Sequence, residues 1–354
     1  MVAKKLMKGN EAIGEAAIKA GCKHFFGYPI TPQNEIPEYM SRRLPQVDGV
    51  FVQAESEVSA INMVYGAAGA GIRVMTSSSS PGISLKQEGI SYIAGAKLPC
   101  VIVNIVRGGP GLGGIQPAQS DYFQATKGGG HGDYRLIVLA PATVQEMVDL
   151  IQDAFDLADI YRNPVMVIGD GMLGQMMEPV EFKERAKINL PEKDWATTGM
   201  RGRREKNIVN SLFLDPQDCE DHNIELFNKY KEIENKEVRC ETYNCENAEL
   251  ILVAYGTTAR IVKSVIEMAK EEGINLGIIR PITLWPFPKE VFNQYVDKTK
   301  AFLSVEMSTG QMVEDVMLAV NGRKPVFFYG RTGGMIPTPE GILGKVREIL
   351  GGLK

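Results

Sequence analysis

The sequence predicts an α/β protein of two parallel-sheet domains joined by a charged connection. Three observations carry this expectation. Short apolar strands alternate with longer helices over the first half of the chain, the rhythm stops near residue 182, and it resumes near residue 249. A length of 354 residues suits two domains of ordinary size. The expected divisions are a first domain at 1–181, an interdomain linker at 182–248 and a second domain at 249–354.

Asn10 stands where it can cap a helix Glu11–Ala20, and Gly21 follows where helices end in a left-handed residue. His24–Tyr28 reads as a strand. Thr31-Pro32 reads as an N-cap and a first-turn proline of a helix running toward Arg43. Strand Val50–Gln53 leads into a small-residue helix, Ser56–Gly69. Ser77-Ser78-Ser79-Ser80 before Pro81-Gly82 lacks a G-x-S-x-G elbow and reads as a turn opening the next helix. The run Val101–Val106 is a buried strand, as are Leu136–Leu139 and Val165–Ile168, and Thr143 introduces the amphipathic helix Val144–Ala158 between the last two.

From Phe182 to Ala248 charges cluster, first at Lys183, Glu184 and Arg185 and then across Arg201–Lys206. Strand signals vanish there, and one helix is expected at Asp221–Glu234. Beyond it, strand Leu250–Ala254 is followed by the turn Gly256-Thr257 and a helix Ala259–Glu272. Strands Leu276–Ile279, Ala301–Val305 and Val326–Phe328 then alternate with helices near Lys289–Val296, Met312–Val320 and Glu340–Leu350.

Composition narrows the function. Lys and Arg total 39 against 43 Asp and Glu, a formal net charge of -4, which argues against nucleic acid as the main partner. No apolar run approaches the roughly 20 residues of a membrane span, so no membrane partner is expected. Cys22, Cys100, Cys219, Cys240 and Cys245 form no C-x-x-C pair. Their odd number, without a signal peptide, predicts a reducing cytoplasm. Cys240 and Cys245 alone do not make a four-ligand metal site, and no iron–sulfur pattern exists, so no metal is expected in this chain.

Two glycine motifs invite readings that their context opposes. Gly109-Pro-Gly111-Leu-Gly113-Gly114 has the G-x-G-x-x-G spacing of a dinucleotide site, the sole support for a nicotinamide-dependent oxidoreductase. Pro117 and a polar loop stand where the phosphate-binding helix should begin, so an active-site loop is the better reading. Gly169-Asp170-Gly171 is like the opening of a diphosphate–magnesium motif, but no convincing Asn follows at the motif's distance, only Asn189 inside the linker, so it reads as a strand-end turn.

Three polar residues remain at or just beyond the C-terminal ends of successive strands, where open α/β sheets bind ligands: Thr31, Glu57 and Arg107. Each has a plain structural alternative, as helix cap, first-turn acid or partner of a nearby carboxylate.

Around them the motifs Tyr28-Pro-Ile-Thr-Pro-Gln33, Gln53-Ala-Glu-Ser-Glu-Val58, Gly66-Ala-Ala-Gly-Ala-Gly71, Thr76-Ser-Ser-Ser-Ser-Pro-Gly82 and Arg107-Gly-Gly-Pro110 occur in order. Gly256-Thr257, Arg280-Pro-Ile-Thr-Leu-Trp-Pro-Phe-Pro288, Glu306-Met307 and Gly310-Gln311 continue the series. In these the chain resembles the α chain of the 2-oxoacid:ferredoxin oxidoreductases. The resemblance implies a thiamine diphosphate pyrimidine-binding domain followed by a transketolase-C-terminal-like domain. It implies that Glu57, with Glu55 as runner-up, contacts the pyrimidine, that Thr31 and Arg107 hold the substrate, and that Tyr28, Pro29, Ile30, Ser79 and Ser80 join Glu57 around the cofactor.

The residue types suit those roles. A carboxylate can share a proton with the pyrimidine ring, a guanidinium fork matches a substrate carboxylate, and a hydroxyl can donate to a keto oxygen that gains charge. The resemblance further implies a β chain holding the diphosphate half and its Mg²⁺. Iron–sulfur clusters are implied in small chains or an extended β chain, with ferredoxin as electron acceptor and coenzyme A as acyl acceptor. The loop Gly111–Tyr122 and the segment Gly128–Tyr134 are most similar to the branched-chain, 2-oxoisovalerate subgroup, with 2-oxoglutarate as the alternative substrate. A noncatalytic assembly subunit built on the same fold is the remaining alternative.

Overall fold

A computed structural model describes residues 4–186, 188–200, 202 and 205–353. Arg201, Arg203 and Arg204 of the expected charge cluster lie outside the described residues. In chain order the first half contains β1 (Lys5–Lys8), α1 (Gly9–Lys19), β2 (His24–Gly27), α2 (Glu35–Arg43), β3 (Val50–Gln53), α3 (Glu57–Gly69), β4 (Val74–Ser78), α4 (Pro81–Gly95) and β5 (Cys100–Val106). It continues with α5 (Tyr122–Thr126), β6 (Ile137–Leu139), α6 (Val144–Tyr161), β7 (Pro164–Asp170), α7 (Gly171–Gln175) and β8 (Met177–Val180). The second half contains α8 (Pro216–Lys236), β9 (Cys240–Tyr243), β10 (Leu250–Val253), α9 (Gly256–Glu271), β11 (Leu276–Pro281) and β12 (Thr283–Trp285). It ends with α10 (Lys289–Tyr295), β13 (Ala301–Glu306), α11 (Met312–Val320), β14 (Val326–Gly330) and α12 (Pro339–Gly352).

The larger sheet has the order β12-β6-β7-β5-β4-β2-β3, parallel except for β12, which runs antiparallel to β6. From β2 the chain steps out to β3 and then returns to the other side of β2 to form β4. Strand order therefore reverses between β2 and β4, and their C-terminal ends open a crevice there. The smaller sheet has the order β14-β13-β10-β11-β9, with only β9 antiparallel.

The structure departs from the sequence expectations in instructive places. β4 reads Val-Met-Thr-Ser-Ser and is buried throughout, although its hydroxyls suggested a turn. Burial is tolerable because Thr76 Oγ1 donates to Phe26 O at 2.6 Å and Ser77 Oγ donates to Gln33 Oε1 at 2.5 Å. The 182–248 stretch carries a strand, β9, paired with β11, so the second sheet recruits the end of the expected linker. β12, from the second half, joins the edge of the first sheet.

Asn10 does not cap α1. It is buried inside the helix start, donating to Pro32 O and Glu35 Oε2, both at 2.8 Å. Thr31 does not cap α2, which starts four residues later, and the Thr31–Pro32 peptide is cis. Thr143 does cap α6, accepting from Glu146 N at 3.1 Å.

Two tethers fix the domains to one another. Arg280 of β11, almost fully buried, donates to both oxygens of Glu146 on α6 (2.8 and 3.0 Å) and to Glu241 of β9 at 2.6 Å. Gln119, from the loop after β5, enters the smaller sheet's own reversal between β10 and β13. There it donates to Tyr255 O (2.9 Å) and accepts from Thr258 Oγ1 (2.6 Å) and Met307 N (3.0 Å).

Candidate active site

Glu57 opens α3 behind the Ser56 cap, whose hydroxyl accepts from Ser59 N at 3.2 Å. Its side chain is buried, whereas that of Glu55 is exposed. The backbone changes from extended at Ser56 to helical at Glu57, and this change leaves one acid in solvent and buries the other. A methyl built at Gly82, in the first turn of α4, would overlap Ser78 Oγ and lie 2.7 Å from Glu57 Oε1. Only a glycine lets the α4 backbone come this close to the carboxylate. Glu57 thus sits near the N-terminal ends of two helices, α3 and α4, where negative charge is favoured.

Ser80 joins β4 to α4 with φ 22° and ψ −82°, a conformation costing about 1–3 kcal/mol that the surroundings must over-determine. The Ser80 hydroxyl donates to Arg107 O at 3.3 Å, and two further bonds hold the residue. Its N–H donates to Asn104 Oδ1 at 3.2 Å, and its hydroxyl oxygen accepts from Arg107 N at 3.0 Å. Asn104 in turn donates to Asp121 Oδ2 at 2.9 Å, and burial pushes the Asp121 carboxyl above the usual carboxylate range.

Arg107 ends this chain of contacts and is 7% exposed. Nη1 donates to Thr31 O at 3.0 Å and Nη2 to Leu112 O at 3.1 Å, while Nε is buried without a partner. Thr31 is half-buried, its hydroxyl accepting from Asn34 Nδ2 at 3.3 Å. Tyr28, Pro29 and Ile30 lead into it from β2, and Gln33 braces them by donating to Tyr28 O (side chain, 3.3 Å) and Ile30 O (backbone, 3.1 Å).

All three strand-end residues therefore meet around the turn 78–82. Thr31 touches Arg107, Arg107 touches Ser80, and Ser78 and Gly82 border Glu57. Ser79 belongs to the same turn, and its hydroxyl, like that of Ser78, is buried and unpartnered. Buried polar atoms ordinarily have partners, so Ser78 Oγ, Ser79 Oγ and Arg107 Nε mark where a polar ligand fits. The donor set suits an aminopyrimidine and a carboxylate-bearing substrate: one acceptor carboxylate, several hydroxyls and one guanidinium.

Sequence reasoning missed Gln33, Ser78 and Gly82, because their contacts with the site depend on partners far apart in the chain. The Gly109–Gly114 loop is no dinucleotide cradle. Gly114 N bonds back to Gly108 O, and the next helix, α5, has five residues. Asp170 caps α7 through Met172 N and Leu173 N, as a strand-end turn does. No helix among the described residues is long and apolar enough to cross a membrane.

Residues 15–243 match the thiamine diphosphate-binding domain of the pyruvate flavodoxin/ferredoxin oxidoreductases, and residues 248–342 match core domain II of pyruvate:ferredoxin oxidoreductase. The chain is 54% identical over 350 residues, 99% of both chains, to the ketoisovalerate oxidoreductase subunit VorB of Methanothermobacter marburgensis. It is 36% identical over 377 aligned residues, covering 99% of this chain and 100% of the other, to the 2-oxoglutarate synthase subunit KorA of Methanothermobacter thermautotrophicus. Among solved structures it aligns with a 2-oxoglutarate:ferredoxin oxidoreductase from Magnetococcus marinus carrying 2-oxoglutarate, coenzyme A and succinyl-CoA. The TM-score is 0.88 and the identity 29%, over 98% of this chain and 65% of that longer one. A split-gene transketolase shares the fold alone, with a TM-score of 0.58 and 13% identity over 98% of both chains.

Proposed function

The chain belongs to the pyruvate flavodoxin/ferredoxin oxidoreductase family, and on that premise we propose that it is the pyrimidine-binding subunit of a cytoplasmic 2-oxoacid:ferredoxin oxidoreductase whose substrate is 2-oxoisovalerate. The reaction is oxidative decarboxylation, in which the 2-oxoacid and coenzyme A give an acyl-CoA and CO2, and two electrons pass to ferredoxin. Partner chains supply what these residues lack: a β chain for the diphosphate half and its Mg²⁺, and iron–sulfur clusters on small chains or an extended β chain.

The observation that carries this reading is the convergence of a buried carboxylate, Glu57, and a buried guanidinium, Arg107, around one turn at the strand-order reversal. Thiamine diphosphate, when bound, supplies the nucleophilic carbon and electron sink that decarboxylation of a 2-oxoacid requires. Glu57 holds a proton at the pyrimidine ring nitrogen, and its burial, against the exposure of Glu55, favours it for that task. Arg107 binds the substrate carboxylate through Nε–H and the hydrogens its two carbonyl partners leave free. Thr31 donates its hydroxyl to the keto oxygen as that atom gains negative charge. Tyr28, Pro29, Ile30, Ser79 and Ser80 form the walls around the ring.

Substrate choice rests on two supports. The 54% identity to a ketoisovalerate oxidoreductase subunit exceeds the 36% to a 2-oxoglutarate synthase subunit. Leu112 and Ile115, exposed on the loop that Arg107 engages, offer apolar contact to a branched side chain. The test is the assembled enzyme reducing ferredoxin or a viologen dye with 2-oxoisovalerate, pyruvate or 2-oxoglutarate. A higher kcat/KM for 2-oxoglutarate refutes the substrate assignment, and a fully active Glu57→Gln enzyme refutes the role of Glu57.

A further inference from the structure

α4 carries a lysine with no accessible surface. Lys86 is 0% exposed and among the largest fully buried side chains of the protein. Its ammonium donates to Thr76 Oγ1 at 2.7 Å and to Ser77 O at 3.0 Å, both on β4. Among the described residues it forms no ion pair. A buried ammonium without a carboxylate in contact is costly, and a methionine of similar length fits the same space without that cost.

Three features of the fold connect this lysine to Glu57. Gly82, which abuts the Glu57 carboxylate, stands one helical turn before Lys86 on the same face of α4. Helical side chains lean toward the helix N-terminus, so Lys86 leans toward Gly82 and Glu57. Its acceptor residues are in contact with the site loop, since Ser77 Oγ binds Gln33, and Gln33 braces Tyr28 and Ile30.

We propose that Lys86 is a positioning residue for Glu57: an ammonium held behind the turn 78–82 that balances the carboxylate from inside the molecule and keeps it oriented for the pyrimidine. Burial pulls Lys86 down to about 7, and the Glu57 carboxylate is the leading influence pushing it back up. The proposal rests on the reading of Glu57 given above.

The test uses the fully assembled complex with thiamine diphosphate bound. Lys86→Met removes the charge at nearly constant volume; Lys86→Gln keeps a hydrogen-bond donor but removes the charge. The primary readout is hydrogen–deuterium exchange at the thiazolium C2 of the bound cofactor, which needs neither substrate nor electron acceptor. Both variants are expected to assemble, with Lys86→Met melting no lower than wild type. Exchange is expected to slow about tenfold, the scale of one charge acting across an interior of effective dielectric about 20. KM for the 2-oxoacid should stay unchanged. In a Glu57→Gln background, adding Lys86→Met should slow exchange no further. Wild-type exchange in both lysine variants, together with slow exchange in Glu57→Gln, overturns the role of Lys86 alone. Independent, multiplying effects of Lys86→Met and Glu57→Gln do the same. Wild-type exchange in Glu57→Gln overturns both readings.

Discussion

Arg107 Nη1 lies 3.0 Å from the carbonyl oxygen of Thr31, joining two residues 76 positions apart in the chain. The second nitrogen of the same fork binds Leu112 O, so the guanidinium plane is set by two backbone carbonyls from two loops. Replacement by lysine keeps the charge and loses the plane. Arg107→Lys should therefore lower kcat/KM at least about 30-fold, chiefly through KM, the scale expected when one member of a buried charged pair is altered. Steady-state kinetics of the assembled enzyme with 2-oxoisovalerate measures it, and a KM within twofold of wild type would contradict the assignment.

Gly82 offers a probe that alters no functional group. An added methyl would overlap Ser78 Oγ and crowd Glu57 Oε1. Gly82→Ala should cost about 1–3 kcal/mol as overpacking and displace the carboxylate. Turnover should fall by more than the melting point implies. Equal activity per folded molecule would mean that the carboxylate does not need its present position.

Buried titratable groups predict opposing pH effects. Lys86 has its proton affinity lowered to about 7 by burial, against an ordinary 10.5. Between those values the unfolded chain holds the proton and the folded chain does not, so stability rises with pH across the window and the full penalty applies below it. Lys86→Met should thus be more stable than wild type below about pH 7, with the difference closing toward pH 10. Lys229, also brought down to about 7 by burial, titrates in both proteins and cancels in the comparison. Cys22, Cys100 and Cys240 act in the other direction. Burial pushes their thiols up to about 12, so the unfolded chain ionises first and stability falls above about pH 9. Thermal melts of the assembled enzyme across pH read both effects.

Gln119 couples the domains, and its amide oxygen accepts from Thr258 Oγ1 and Met307 N while its amide nitrogen serves Tyr255 O. Gln119→Ala leaves three buried groups unpaired at about 1–3 kcal/mol each before relaxation. A lowered melting point and a raised KM should appear together, because the same loop supplies Leu112 O to Arg107. Loss of stability with an unaltered KM would separate the interdomain tether from the substrate loop.

The sequence by itself determined the α/β class, the β-α rhythm of both halves, and the placement of Thr31, Glu57 and Arg107 at strand ends. These follow from local periodicity and from the rule that loops after parallel strands face one edge of a sheet. Tertiary structure alone decided which of two neighbouring acids is buried, that a hydroxyl-bearing strand lies inside the sheet between β5 and β2, and that β12 crosses to the other domain's sheet. It alone revealed Lys86 and Gln119. Ser77 tolerates burial only because Gln33 reaches it from another loop, and Lys86 matters only because Gly82 lets Glu57 approach the same helix. Such effects depend on partners distant in the chain, and neither propensity nor spacing encodes which distant groups will meet.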